Sequence, residues 1–240
     1  MDVVALTPRL TFLRFPVGHV YLWAEPDGLT LVDSGTPGSA PAIADAIRGL
    51  GHRTEDVRRL VLTHFHEDHV GSAAAITAWG EVEVIAHRDD VPFIQGEQAG
   101  PPPDLLDWER PIYERVTAGL PAEPPVPVRV GRPVGDGDVL DFGGGARVVG
   151  AAGHTPGSLG LFLPGPGVLF TGDAVARTPD GEVILGVFNA DRAGAAESFA
   201  RLAAVDAEIA CFGHGEPLTE GAAGRLRAAA SRRPADTGRP

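Results

Sequence analysis

The run His64-Phe-His66-Glu-Asp68-His69 places four metal-capable side chains within six residues, and no other feature of this chain constrains its fold as strongly. Donors so close together must sit on a turn that aims several of them at one place. In an extended segment, residues two apart point the same way, so His64 and His66 can reach one ion together. Asp68 and His69 then address a second ion. The preceding RLVLT (59–63) reads as a strand and DHVGSAAAITAW (68–79) as a helix, so the aspartate falls at a helix start, where the dipole favours a carboxylate.

Three further donors are scattered: His154 in GHTPG, Asp173 in FTGD and His214 in FGHG. Each follows an apolar, strand-like run, namely ARVVGAA (146–152), VLFTGD (168–173) and AEIACF (207–212). Loops that leave strands on one rim of a rigid scaffold can bring such residues together. Glycines at 153, 172, 213 and 215 let the backbone turn sharply beside them. Five of the eight histidines and two aspartates make enough donors for two ions, each keeping an open position. That is the pattern of a catalytic site, since structural zinc is fully enclosed. Imidazole and carboxylate without thiolate suit zinc, with iron or manganese as alternatives.

Around these motifs the chain alternates short elements and Pro/Gly turns. Strands are expected at LTFLRF (10–15), HVYLWA (19–24), LTLVDS (29–34), VEVIAH (82–87) and LGLFLP (159–164). Helices are expected over about 40–50, with Ser39 as N-cap and Gly51 as stop, and over about 193–204 and 218–230. Residues 88–128 are irregular, a variable lid segment with short helices interrupted by proline, and 231–240 form a loose polar tail. The length suits a single domain over 1–240, and the mixture of elements in both halves suggests two sheets with helices outside.

The order of these motifs resembles the metallo-β-lactamase superfamily: a strand ending in Asp, then His-x-His-x-Asp-His, then His, Asp and His. The resemblance runs over roughly residues 10 to 220 and implies an α/β fold, a four-layer αββα sandwich. It also implies that His64, His66 and His154 hold one metal, that Asp68, His69 and His214 hold the other, and that Asp173 bridges them. Asp33, in LVDSG, corresponds to the family's aspartate behind the metal loop and is expected to orient a ligand. The activity implied is hydrolysis of an ester, thioester, lactone or amide of a small molecule by a hydroxide bridging two divalent ions, with Asp68 and Asp173 as catalytic residues and Asp68 passing a proton to the leaving group.

Within that family, acyl-homoserine lactonases carry a tyrosine three residues after the bridging aspartate, where this chain has Ala176. The 26 residues after His214 are too few for the helical domain of glyoxalase II proteins, and flavodiiron oxidoreductases have glutamate where His66 stands. Two alternatives remain from other classes: a mononuclear iron persulfide dioxygenase on the same fold, and a metal-binding module without turnover.

A net charge of −12 repels phosphate backbones, so no nucleic-acid partner is expected. The N-terminal stretch does not read as a secretory signal, no apolar run approaches the roughly 20 residues of a membrane span, and the lone Cys211 fits a reducing, cytoplasmic setting. Cys211 reads as a buried structural thiol, Glu67 as a solvent-facing charge and His87 as a surface or capping residue. Trp108, Tyr113, Phe93 and Ile94 either line a substrate wall or pack the variable segment down, and the oligomeric state is left open.

Overall fold

The computed structural model describes residues 1–232, so most of the expected tail, from 233 on, lies outside the described residues. Strands β1 (Asp2–Ala5), β2 (Leu10–Arg14), β3 (Val20–Glu25) and β4 (Gly28–Val32) form an antiparallel meander. After helix α1 (Ala40–Gly49) the polarity changes. β5 (Val57–Leu62) runs parallel to β4, β6 (Glu83–His87) parallel to β5, and β7 (Arg132–Val134) parallel to β6 at the edge of a seven-stranded sheet. Strands in such a setting are apolar on both faces, and Leu60, Val61 and Leu62, like Val84, Ile85 and Ala86, are all buried. Pro133 is tolerated in β7 because an edge strand lacks one neighbour.

One face of this sheet, through Leu29, Leu31, Leu60 and Leu62, packs on Ile43 and Ile47 of α1. Truncating one of these to alanine costs about 2–5 kcal/mol. Gly51, at φ +85°, follows the helix as expected. The cap at the other end differs from expectation. Ser39 precedes α1, but its side chain does not cap; Ser72 Oγ accepts from the Ser39 and Ala40 N–H groups at 2.8 and 3.1 Å and donates to the Thr36 carbonyl. The helix expected over 68–79 is instead two short ones, α2 (Glu67–Val70) and α3 (Ala73–Thr77). Between them Gly71 lies against Pro37 with no room for a Cβ. A short α4 (Val91–Ile94) follows β6.

By contacts the chain divides into two compact units, residues 1–99 with 121–134, and residues 100–120 with the chain from 135 onward. The second contains α5 (Arg110–Gly119), then β8 (Val139–Leu140), β9 (Ala146–Gly150), β10 (Leu159–Leu163) and β11 (Val168–Phe170). A small hairpin of β12 (Val175–Arg177) and β13 (Val183–Leu185) follows, then α6 (Arg192–Ala203), β14 (Ile209–Cys211) and α7 (Ala222–Ala230). Its five-stranded sheet has the order β14-β11-β10-β9-β8, antiparallel except where β14, returning after α6, pairs parallel with β11. Asp191 caps α6 by accepting from the Ala193 and Gly194 N–H groups at 3.1 Å. Ala195, Phe199 and Leu202 follow the helical period and are all buried; Phe199 and Leu202 pack with Val149, Leu169, Ala210 and Leu226. Among the described residues no helix is long and apolar enough to cross a membrane.

Candidate metal centre

In the first unit the donors occupy the turn between β5 and α2. His66 is the extended residue before α2, and Glu67 and Asp68 lie in the first helical turn, as the sequence predicts. His64 Nε2 lies 3.1 Å from His66 Nδ1, and His69 Nε2 lies 3.5 Å from Asp68 Oδ2. The rings of His64 and His69 are 4.1 Å apart, and both residues are buried.

Asp33 organises this turn from the end of β4. Its Oδ1 accepts from the Thr63 N–H at 2.7 Å, and its Oδ2 accepts from Thr63 Oγ1 and from His69 Nδ1, each at 2.8 Å. A carboxylate only accepts, so His69 Nδ1 carries its proton. Thr63 has already given its single hydroxyl hydrogen to Asp33, so at 3.0 Å His64 Nδ1 must be the donor to Thr63 Oγ1. One carboxylate thus sets both tautomers and leaves the Nε2 atom of each ring as a lone-pair donor, the form in which imidazole binds metal. Asp33 holds this place at φ +64°, a left-handed conformation that aspartate tolerates better than most residues. Next to it, Ser34 grips the His69 carbonyl through its N–H at 2.8 Å and its hydroxyl at 2.7 Å.

Two more contacts hold the turn. The buried Asp90 accepts from the Phe65 N–H at 3.0 Å, and Gly18, at φ +61°, lies against the Asp68 carbonyl where a Cβ would collide. Neither residue stood out in the sequence, because each acts through backbone groups far along the chain. Glu67, expected to face solvent, is half-buried; burial, and then the charge of Asp68, raise its carboxyl above the usual range.

In the second unit each donor follows its strand. His154 comes after β9, Asp173 sits in a 3-10 turn (Gly172–Ala174) after β11, and His214 comes after β14. Asp173 Oδ2 lies 3.1 Å from His214 Nε2 and 3.6 Å from His154 Nε2, so one carboxylate oxygen faces two imidazoles. His154 is almost fully buried, whereas the His214 side chain is 39% exposed. Gly153 packs against the backbone of Ala195, Gly186 against the carbonyl of Asp173 and Gly215 against that of Arg177, each too close for a side chain.

All seven residues belong to groups of histidine and aspartate able to hold a metal ion. The donors are imidazole nitrogens and carboxylate oxygens, and Asp33 keeps two of the rings in the ligating tautomer, so the chemistry of the set fits divalent metals such as zinc.

The remaining candidates sort plainly. Cys211 is a buried thiol in β14, and burial pushes its pKa well above the ordinary range. His87 Nδ1 accepts from the Asp89 N–H at 3.3 Å, closing a turn, and His19 is buried edge-on against Phe12. Ile94 lies in the first unit's core and Phe93 packs on Phe65, whereas Tyr113 meets Phe188. Glu109 is fully buried and paired with Arg192 at 2.6 Å, a contact spanning 83 residues that no local pattern announced.

Comparison with known proteins agrees with this reading of the fold. The probable metallo-hydrolase YflN of Bacillus subtilis is 30% identical over 232 residues, covering 86% of this chain and 84% of its own. The hydroxyacylglutathione hydrolase of Rhodobacter capsulatus is 27% identical over 82% of this chain, which spans 61% of that enzyme. A metallo-β-lactamase family protein from Thermus thermophilus superposes with a TM-score of 0.69 at 26% identity, covering 94% of this chain and 78% of that one. The family model described as the metallo-β-lactamase superfamily matches residues 13–214. With its fold, its ordered His and Asp motifs and its metallo-hydrolase relatives in agreement, the chain belongs to the metallo-β-lactamase superfamily and is a metal-dependent hydrolase.

Proposed function

We propose that the protein is a two-metal hydrolase acting on an ester, thioester, lactone or amide carbonyl of a small molecule. His64, His66 and His154 would hold one ion and Asp68, His69 and His214 the other, with Asp173 as a shared ligand. The observation that carries this reading is the Asp33 network, which fixes His64 and His69 as Nε2 donors. A hydrogen-bonded histidine cluster without a metal would not need two rings locked in that one tautomer. The single family model crosses both compact units, which supports reading them as parts of one domain.

Two divalent ions, zinc by the donor set, would supply Lewis acidity and an acidified water. The chain's own part is to hold them and to handle the proton. Asp173 Oδ2, facing His154 and His214, would serve both ions; Asp68 Oδ2, beside His69 at the start of α2, would take the proton that the water loses and deliver it to the leaving group. A charge of −12 disfavours nucleic-acid substrates, and we place the protein in the cytoplasm, where the buried Cys211 stays reduced.

The test is metal analysis of the purified protein beside hydrolysis assays on lactones, thioesters and aryl esters. Two metals per chain and turnover abolished by a chelator are expected. Full activity in metal-free protein would end this reading, and iron with oxygen uptake would favour sulfur oxidation instead.

A further inference from the structure

The loop 186–191, between β13 and α6, is fastened to two of the three donor turns of the second unit, those of Asp173 and His154. At one end the Gly186 N–H donates to the Ala174 carbonyl at 3.2 Å, and Gly186 rests on the Asp173 carbonyl. At the other, the Ala190 N–H donates to the His154 carbonyl at 3.2 Å and the Asp191 N–H to that of Gly153 at 2.8 Å. Phe188 lies midway between these fastenings, two residues from each.

Its backbone is left-handed, at φ +60°, a conformation that phenylalanine rarely adopts unless its surroundings impose it. The imposing group is Glu109, whose Oε1 accepts from the Phe188 N–H at 3.3 Å while Oε2 accepts from the Leu106 N–H and from Arg192 Nη2 at 2.8 and 2.6 Å. One turn along, Tyr113 meets the Phe188 ring edge to face, with centroids 5.2 Å apart and planes at 73°. The Asp104 N–H adds a second tie, donating to the Asn189 carbonyl at 2.8 Å. Both rings are half-buried, so each keeps part of its surface open to a further group. An ion pair is a weak stabiliser by itself, and this one, with its carboxylate fully buried, holds an aromatic residue in a costly backbone state within a loop tied to the turns of His154 and Asp173.

We propose that Phe188 and Tyr113 form an aromatic wall that takes the acyl group of the substrate and selects aromatic over short aliphatic acyl groups, and that Glu109 is the positioning residue that sets Phe188. An edge-to-face pair accepts a third ring in the same geometry. The proposal rests on the hydrolytic reading for the bond that breaks, but not for the group that binds.

The test therefore has a binding arm and a turnover arm, both on the full-length, metal-loaded protein. Phenylacetate and acetate, the carboxylates released from the two acyl classes, are titrated by calorimetry. The phenylacetyl and acetyl thioesters of N-acetylcysteamine are assayed for kcat and KM. Phenylacetate is expected to bind about tenfold more tightly than acetate, and kcat/KM to follow, chiefly through KM. Phe188→Ala removes that preference, Phe188→Tyr keeps it, and Glu109→Gln reduces it through KM. Tyr113→Ala, which leaves the strained loop untouched, reduces it even if Phe188→Ala fails to fold. Equal binding of the two carboxylates by the unmodified protein, or an intact preference in both alanine variants, overturns the proposal. Absence of metal-dependent turnover of either thioester counts against the thioester form of the hydrolytic reading alone, and the binding arm still decides this one.

Discussion

Asp33 and His69 are joined carboxylate to ring at 2.8 Å although 36 residues separate them, and this bond decides which nitrogen of His69 can meet a metal. Replacing Asp33 by asparagine offers only one accepting oxygen to Thr63 and His69, so one of the two tautomers is released. Asp33→Asn is expected to lower metal affinity by about 10–100-fold while the fold persists. Competition against a coloured chelator, with a thermal scan as control, measures it; unchanged affinity would refute the ordering role of Asp33.

The two proposed ions should be separable at His214, the more exposed imidazole of the second unit. His214→Ala is expected to bring metal content from two per chain to one. Removing all metal should lower the melting temperature, because an ion present at about 100 times its Kd stabilises the folded state by about 2.7 kcal/mol. Elemental analysis and calorimetry test both; a melting temperature indifferent to chelation would count against resident metal.

Ser72, rather than Ser39, caps α1. Ser72→Ala should therefore cost about 1–2 kcal/mol, and Ser39→Ala about 0.5 kcal/mol or less. Urea unfolding of the two variants checks the order, and the reverse order would show the capping to be misassigned.

Burial raises the Cys211 thiol well above its usual range, so the unfolded chain ionises first as pH rises. Stability from this group is complete below the ordinary thiol pKa of about 8.5 and declines above it, by up to about 1.4 kcal/mol per pH unit until the folded pKa is reached. Denaturation midpoints from pH 7 to 10 should fall for the natural chain and fall less steeply for Cys211→Ala. Parallel slopes would mean that the thiol is not the cause.

Gly186 leaves no space for a methyl group over the Asp173 carbonyl. Gly186→Ala should shift the turn that carries Asp173, reducing metal content and costing about 1–3 kcal/mol of stability. Native metal binding in this variant would show that the turn yields without consequence.

Much of this molecule was legible because its donors are adjacent or follow strong strands. The turn of His64 to His69 sits at the end of a buried apolar strand, and His154, Asp173 and His214 each follow another, so period and motif agree. Four of the five strands that went unread, β7, β8, β12 and β13, are two or three residues long, too short for alternation to show. The fifth, β1, is mostly exposed and has no buried face to leave a pattern. The helix over 68–79 looked continuous because nothing local reveals that Pro37 presses on Gly71. Glu109 was invisible for the same reason, since its partners Phe188 and Arg192 lie 79 and 83 residues away.

β6 and β7 pair directly, Ile85 opposite Arg132, although the chain makes a long excursion between them. A detour that departs from and rejoins one ladder at neighbouring rungs can lengthen or shrink without shifting any register. The part of the excursion free to vary is bounded by its own anchors, since Asp90 holds the Phe65 N–H beside the metal turn and Glu109 holds that of Phe188. Between those anchors a longer or shorter chain would leave the rungs of β6 and β7 where they are.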